Sequence, residues 1–413
     1  MITRIIGKHD ENTLAQIQDV STRAEYAALM PDGHLGYIMP IGGVAAYDNK
    51  VSVAGVGYDI ACGNCAIRID MTLEALTGIS HKEIDANPYR LQTHPVLIEL
   101  ADAIKRDISF GIGTRNDTQV LANSDPFWHD AGWWHLPNEL RDTLQQLASR
   151  QLGTVGSGNH YVDVLVDERG SIWVGVHFGS RGLGHKIASN VMALSLGKNW
   201  GEKFGAEVEA LLPLDSELGQ TYWDLMTLAG RYAYMGREWV TRTVVDMIGG
   251  TELEMVHNNH NFAWKEQHFG ERLVVVRKGA TPAFPGQRGF VGGSMGDDAV
   301  ILEGCDSLHS PDSLFSTVHG AGRVMSRTAA AGKVHRKTGV RLTEGAVKPA
   351  DMKAWLDKRG VILRGGGLDE SPQAYRRLPD VLADAGDTVN VLYTLRPIIV
   401  AMAGSDEFDP YKD

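Results

Sequence analysis

The sequence is poor in cysteine and in long apolar runs. Its 413 residues contain three cysteines, Cys62, Cys65 and Cys305, which are too few for a disulfide framework and favour a reducing compartment. No apolar run approaches the roughly 18 residues of a membrane span, and the opening MITRIIGKHDENTL lacks the apolar core of a signal peptide. We therefore expect a soluble, cytoplasmic protein without a membrane partner.

Basic residues are also outnumbered, since 40 Lys and Arg stand against 51 Asp and Glu and give a formal net charge of −11. Non-specific binding along a nucleic-acid duplex requires many phosphate contacts, so this balance argues against it. A local basic pocket for one phosphate or one RNA end remains compatible with the composition. Glycine is abundant, with 47 residues that cluster beside His, Asn and Ser, as where backbone approaches a ligand closely.

The hydrophobic pattern predicts short strands between helices. Strand-like runs include KVSVAGVGY, NCAIRID, HYVDVLV, SIWVGVHF, RLVVVRKG and DAVILEG. The longest helical pattern covers 215–248, and GAGRVMSRTAAAG predicts helix N–H groups near Gly320. There is no internal repeat and no regular βαβ period. We predict the α+β class: a single large mixed α/β domain over 1–413, with a β-rich core, flanking helices and an acidic C-terminal extension at about 405–413.

Five of the 15 histidines lie in segments rich in glycine or amide side chains. They are His34, His160, His177, His260 and His319. One histidine alone is more often a surface or satisfied core residue than a ligand. Several of them, together with a carboxylate and a thiol within apolar strands, are the ligand set of a transition metal such as Mn, Fe, Co or Zn.

The segment GVGYDIACGNCAIR places Asp59, Cys62 and Cys65 in a small, apolar stretch. A Cys-x-x-Cys pair can be half of a zinc site or a redox motif. A zinc ribbon needs a second such pair, which the chain lacks, and a redox pair begins a helix, whereas AIRID continues as a strand. We therefore interpret Cys62 as a metal ligand and Cys65 as a small buried hydrophobe.

Nine motifs follow one another between about Met30 and Arg396: MPDGHLGYIMPIGGVAA, GVGYDIACG, GSGNHYVDV, VHFGSRGLG, NNHNFA, KEQHFG, RKGATPAFPG, GSMG and HGAGRVMSR. Together they strongly resemble the RtcB family of RNA-splicing ligases, in the family's order. The resemblance implies an enzyme that uses GTP and Mn²⁺ to join an RNA 3′-phosphate or 2′,3′-cyclic phosphate to a 5′-hydroxyl, in tRNA splicing or RNA repair. RNA ends and GTP are then its partners, and an activating protein is a further candidate.

The same resemblance implies two metal ions. Asp59, Cys62 and His160 would hold one Mn²⁺, and Cys62, His177 and His260 would hold the other. The thiolate of Cys62 would then bridge two cations, a role that suits a negative and polarisable ligand.

The family resemblance also implies the nucleophile and the nucleotide site. His319 would attack the α-phosphate of GTP and become guanylylated. The implied nucleotide-binding residues are Asn159, His160, Tyr161, Val162, Asp163, His260, Asn261, Gly292, Gly293, Ser294, Met295, His319, Gly320, Ala321 and Gly322. Arg181, Arg323 and Arg327 are candidates for binding RNA phosphate.

Four residues depart from the family pattern. Asp163 replaces a usual Glu, Gly292 a Pro, Ala299 a Ser and Met402 a Lys. Because the last two replace polar groups that the family places near the base, we predict relaxed or altered nucleotide preference. A dinuclear metal-dependent phosphoesterase, a divergent paralogue with altered nucleotide use and a non-catalytic RNA-binding relative are the alternatives, and the intact HGAGR motif around His319 favours the ligase.

Overall fold

The computed structural model of the chain describes residues 1–203, 208–334 and 341–404. Its strands are β1 (Ile2–Ile5), β2 (Tyr26–His34), β3 (Ile41–Tyr47), β4 (Lys50–Ser52), β5 (Gly63–Thr72), β6 (Tyr161–Val166), β7 (Ser171–Phe178), β8 (Leu211–Pro213), β9 (Glu252–Asn259), β10 (Asn261–His268), β11 (Glu271–Lys278), β12 (Ala280–Pro282), β13 (Arg288–Val291), β14 (Ala299–Gly304), β15 (Ser316–Val318), β16 (Gly332–Val334), β17 (Arg341–Glu344), β18 (Ile362–Gly366) and β19 (Val389–Gly404).

Its α-helices are α1 (Glu11–Ser21), α2 (Val53–Val56), α3 (Leu73–Thr77), α4 (His81–Ala86), α5 (Tyr89–Gln92), α6 (Pro95–Asp107), α7 (Asn138–Gln151), α8 (Arg181–Ser195), α9 (Glu217–Ile248), α10 (Arg327–Ala331), α11 (Pro349–Arg359) and α12 (Leu378–Ala385). Single 3₁₀ turns lie at Pro126–His129, Ala131–His135, Leu368–Glu370, Pro372–Ala374 and Gly386–Thr388. None of these described helices combines the length and apolar character that a membrane crossing requires.

Two sheets carry most of the strands. The larger has the order β13-β14-β19-β6-β7-β5-β9, with β18 paired to β19, and the smaller has the order β1-β2-β3-β11-β10. Strand β19 therefore lies in the interior of the larger sheet, between β14 and β6. This mixture of largely antiparallel sheets and separate helices agrees with the predicted mixed, β-rich fold.

The larger sheet curls until its edges approach each other. The Phe290 N–H on β13 donates to Asn258 Oδ1 on β9 (2.9 Å), and Asn64 Nδ2 on β5 donates to the Phe290 carbonyl (2.8 Å). The Phe290 ring fills the interior over Gly175, where any Cβ would lie 2.7 Å from the ring. The sheet is therefore nearly a closed barrel.

Helix α9 confirms the predicted helix at 215–248. Ser216 Oγ accepts a hydrogen bond from the Gly219 N–H (3.1 Å) at its start, and Gly249, at a φ of 80°, ends it. The half from Tyr222 to Ala233 belongs to an apolar core shared with α1, α7 and α8, while the last turns, from Val240, belong to a second core against the larger sheet. Full burial of a large apolar side chain contributes roughly 1.5–3 kcal/mol, so α9 joins the two cores firmly.

The segment KVSVAGVGY differs from its strand prediction. It is extended only over Lys50–Ser52 and then turns into α2, because Ser52 Oγ accepts a hydrogen bond from the Gly55 N–H (2.8 Å) and caps a helix turn. Local capping overrides the apolar pattern here.

The helix expected near Gly320 is also displaced. Helix α10 begins only at Arg327, where Ser326 Oγ accepts from the Ala329 N–H (3.1 Å). The residues after His319 therefore form a loop rather than a helix start. The acidic extension predicted at about 405–413 lies outside the described residues, and the single-domain boundary at 1–413 stays a prediction.

Candidate active site

Neighbouring strands of the larger sheet bring the predicted ligands to one end of that sheet. Tyr161 of β6 pairs with His177 of β7, and His177 pairs with Asn64 of β5. Cys62 directly precedes β5, and His260 directly follows β9. Because the strand order is β6-β7-β5-β9, these residues meet although they are distant in sequence.

Cys62, His160 and His177 form a compact, buried group. The Cys62 Sγ lies 3.6 Å from His160 Nε2 and 3.7 Å from His177 Nε2. Two ligands at about 2.3 and 2.1 Å from one ion, at a tetrahedral angle, would be roughly 3.6 Å apart. The three donor atoms lie within 4.8 Å of one another, so this group could hold a metal ion. Asp59 Oδ2 lies beside it, 3.2 Å from His160 Nε2.

Both histidines of this group are oriented by a second hydrogen bond. The Nδ1 of His177 lies 2.6 Å from Asn64 Oδ1, and the Nδ1 of His160 lies 3.0 Å from the Val155 carbonyl. Because Asn64 Nδ2 donates elsewhere, Asn64 Oδ1 accepts from His177 Nδ1 and leaves the His177 Nε2 lone pair toward Cys62, as metal ligation requires, whereas His160 Nε2 faces both Cys62 and the Asp59 carboxylate. Burial also lowers the pKa of His177 well below its usual value, which keeps that ring neutral.

The charges in the group favour a cation. Burial and then the Asp59 carboxylate raise the pKa of the Cys62 thiol well above its usual value. Desolvation opposes ionisation of Asp59, but the hydrogen bond and charge of His160 lower its pKa to about 2. The carboxylate packs against Gly179, where a Cβ would lie 2.2 Å from Asp59 Oδ1. A dication would stabilise both the carboxylate and a deprotonated thiol, so the donor set fits such an ion.

His260 does not belong to this compact group but lies beside it, next to His177. Its ring stacks on that of His177 (5.1 Å between centroids, 20°) and meets that of His319 nearly edge-on (5.0 Å, 62°). Its Nδ1 is buried without a hydrogen-bond partner among the described residues, and burial lowers its pKa well below the usual value. A neutral, unsatisfied imidazole at this place is available to a ligand, while the sharing of Cys62 between two ions stays a prediction.

Asp32, which the sequence analysis did not single out, holds His319. Its Oδ2 lies 2.6 Å from His319 Nδ1 and accepts from the backbone N–H groups of His319 (3.0 Å) and Gly320 (3.3 Å). The carboxylate assigns the proton to Nδ1 and leaves Nε2 of His319 with a lone pair. Gly322, at a φ of 74°, packs where a Cβ would lie 2.4 Å from the Asp32 carbonyl, so a side chain there would disturb this pair. The acid in MPDGH, two residues before His34, was the available signal.

A cavity of about 630 Å³ is lined both by the group of Cys62, His160 and His177 and by His319. All of the predicted nucleotide-binding residues line it except Val162, which packs in the apolar core. Alternate residues of a strand face opposite sides, so Tyr161 and Asp163 face the cavity and Val162 does not. The Tyr161 hydroxyl and Asp163 Oδ1 are buried without a partner among the described residues, and burial raises the pKa of Asp163 well above its usual value.

Ala299 and Met402 replace polar residues that the family places near the base, and of these two only Met402 lies at the cavity. Met402 lines it, whereas Ala299 does not and belongs to the buried apolar cluster that includes Phe290 and Trp173. The effect of Ala299 on base recognition therefore stays a prediction.

The arginine candidates separate in the same way. Arg323 and Arg327 line the cavity, and both pair with the buried Glu370, at 3.1 and 2.9 Å. Arg181 does not line it; its Nη1 lies 3.4 Å from His160 Nδ1. Glu370 lies outside the motifs recognised in the sequence, and no residue pattern there predicted its pairing with these arginines.

Comparison with known proteins gives a consistent result. The model of one protein family, described as "tRNA-splicing ligase RtcB", matches residues 13–403. A tRNA-splicing ligase RtcB of Thermococcus kodakarensis is 30% identical, over 95% of this chain and 91% of that protein. An RNA-splicing ligase RtcB of Escherichia coli K12 is 30% identical over 91% and 89%, and one of Mycobacterium bovis is 31% identical over 89% and 94%.

Proposed function

This chain belongs to the RtcB family, and from that premise we propose that it is an RNA ligase joining a 3′-phosphate or 2′,3′-cyclic phosphate end to a 5′-hydroxyl end. We propose GTP as the activating nucleotide, Mn²⁺ as the metal and the cytoplasm as the location. The observation that carries the proposal is the pairing of His319 with Asp32 beside a buried Cys/His/His group in one cavity.

In the proposed first step, His319 Nε2 attacks the α-phosphorus of GTP. A P–N bond forms, the P–O bond to pyrophosphate breaks, and pyrophosphate leaves. Asp32 holds Nδ1, which keeps Nε2 unprotonated and aimed at the substrate, and it stabilises the positive charge that develops on the ring. The guanylyl group then passes to the RNA 3′-phosphate, the P–N bond breaks, and the 5′-hydroxyl displaces GMP.

In this proposal Asp59, Cys62 and His160 hold one metal ion, and Cys62, His177 and His260 hold a second. Bound cations would neutralise negative charge on the phosphate oxygens. The orienting partners of His177 and His160, Asn64 Oδ1 and the Val155 carbonyl, keep both Nε2 atoms directed into the cavity. The loop after His319 and the segment 292–295 line the cavity, and backbone N–H groups there that do not donate to Asp32 can bind phosphate oxygens.

The base of the nucleotide is proposed to enter the end of the cavity lined by Asp163, Met295 and Met402. Asp163 Oδ1 has no partner there and offers an acceptor to a base N–H group. Met402 supplies an apolar contact instead of a second polar one. These contacts support the prediction that nucleotide preference is relaxed or altered in this chain.

Covalent labelling tests the proposed function. With GTP labelled at the α-phosphate and Mn²⁺, the wild-type chain should retain label that acid releases and alkali does not, as a phosphoramidate behaves. His319→Ala should retain none. His309→Ala is the matched control, because His309 is exposed and pairs with Asp387 on the surface, and it should label normally. Labelling of His319→Ala at the wild-type level would exclude this mechanism, and a labelled but metal-independent chain would exclude the metal role.

A further inference from the structure

Arg237 of helix α9 is a completely buried cation. All of its hydrogen bonds go to acceptors without formal charge. Nη1 donates to the carbonyls of Ala61 and Phe178, each at 2.7 Å, while Nη2 donates to Asn259 Oδ1 (2.6 Å) and Nε donates to His257 Nε2 (2.8 Å). Burial of a charge without a carboxylate partner is costly, so the position calls for an explanation beyond packing.

The acceptors identify what the guanidinium connects. Ala61 directly precedes Cys62, Phe178 directly follows His177, and Asn259 directly precedes His260. Three separate segments that carry proposed metal ligands therefore accept hydrogen bonds from one rigid, planar guanidinium group. Arginine suits this task because its donors have fixed relative directions, whereas a lysine ammonium is a point charge on a flexible stem.

The backbone at the first acceptor is strained. Ala61 has a φ of 58°, a left-handed conformation that a residue with a Cβ rarely adopts. Arg237 donates a hydrogen bond to the Ala61 carbonyl, and the Ala61 N–H donates to the Asn261 carbonyl (2.7 Å). The strained turn that directs Cys62 into the cavity is thus fixed from both sides.

We propose that Arg237 is a positioning residue that sets the spacing of Cys62, His177 and His260 and so determines the metal affinity of the site. The inference rests on the proposed function only in that these residues bind an ion. Arg237 is not among the residues that line the cavity and has no direct contact with substrate in this scheme.

Cobalt(II) binding to the apo chain, followed by the thiolate-to-cobalt absorption band, provides a readout independent of ligase activity. Loss of an interaction that orients metal ligands typically weakens binding 10- to 100-fold. We expect Arg237→Met to weaken cobalt binding by about this factor and to change the band. Arg237→Lys should also bind cobalt more weakly than wild type, because lysine keeps the positive charge but lacks the planar guanidinium group with its fixed donors. Asn259→Ala, which removes one arm, should show a smaller loss.

Arg277→Met is the matched control. Arg277 is the other fully buried arginine among the largest buried side chains, and it pairs with Glu266 at 2.7 Å, away from the thiol group. It should lower thermal stability as Arg237→Met does and leave cobalt affinity unchanged. Equal weakening in both variants would reduce Arg237 to a general structural residue and overturn the proposal.

The remaining outcomes are also decisive. A folded Arg237→Met or Asn259→Ala chain with wild-type cobalt affinity and band would overturn the positioning role. Should Arg237→Met fail to fold, the affinity of Asn259→Ala decides. A wild-type chain that binds no cobalt would overturn the metal part of the proposed function and this inference together, whereas normal wild-type binding with normal variants overturns the inference alone.

Discussion

Replacement of Asp32 by asparagine tests the arrangement around His319. The Asp32 side chain is fully buried, and its Oδ2 contacts His319 Nδ1 and two backbone N–H groups at 2.6 to 3.3 Å. Asparagine has nearly the same shape, so the substitution removes the charge and keeps the space filled. The backbone N–H groups of His319 and Gly320 require an oxygen at the Oδ2 position, so the amide oxygen stays beside His319 Nδ1 and only the negative charge is lost.

The consequence falls on the charge of the His319 ring. The ring becomes cationic when Nε2 attacks phosphorus, and without the carboxylate that positive charge is less stabilised. A hydrogen bond to a charged group contributes about 1.5–3 kcal/mol. Since about 1.4 kcal/mol corresponds to a tenfold change in rate, covalent nucleotide transfer in Asp32→Asn should slow roughly 10- to 150-fold.

The assay is the single-turnover rate of label incorporation from GTP at saturating nucleotide and Mn²⁺. Metal content, measured by elemental analysis, should match wild type, because Asp32 is not a proposed ligand. Asp224→Asn provides a matched control, since Asp224 pairs with His135 at 2.8 Å outside the cavity, and its labelling rate should not change. An Asp32→Asn chain that labels as fast as wild type would refute the role of the Asp32 charge.

Three further predictions concern the metal group and the base site. Cys62→Ala should lose at least one metal ion and all nucleotide transfer, and two ions per chain retained by elemental analysis would contradict the bridging thiolate. Cys65→Ala should keep its full metal content at a cost of roughly 1 kcal/mol in a denaturant titration, because Cys65 is buried in the apolar core; loss of metal would revive the zinc interpretation. With Met402 in place of a polar group at the cavity, discrimination between GTP and ATP in the transfer step should be weaker by roughly 1–3 kcal/mol than in relatives with lysine. A strict preference for GTP would show that other contacts compensate.

Elements whose structure depends on a local residue pattern could be predicted from the sequence. The apolar period of 215–248 predicts α9, because a 32-residue amphipathic helix is determined by its own spacing. The continuation of AIRID as a strand is likewise visible locally, and Cys65 packs in the apolar core as predicted, whereas Cys62 belongs to the group that could hold a metal ion.

Contacts between distant segments could not be predicted in this way. Asp32 and His319 are 287 positions apart, and only the sheet topology brings their loops together. The side of a strand that faces the cavity is decided by strand register, which is why Val162 was assigned to the nucleotide site although its side chain packs in the core. Short helices such as α2 depend on one capping hydroxyl, a signal that an apolar run conceals.

The interior place of β19 in the larger sheet has a consequence for biosynthesis. Among the described strands, β19 emerges from the ribosome last, yet it pairs with both β14 and β6, and Met402 lies opposite Tyr161. Until it arrives, the edges of β14, β6 and β18 that pair with it stay open, and such edges pair readily with other chains. A product released before residue 389 would keep these edges open and would lack the part of the cavity wall that Val400 and Met402 provide.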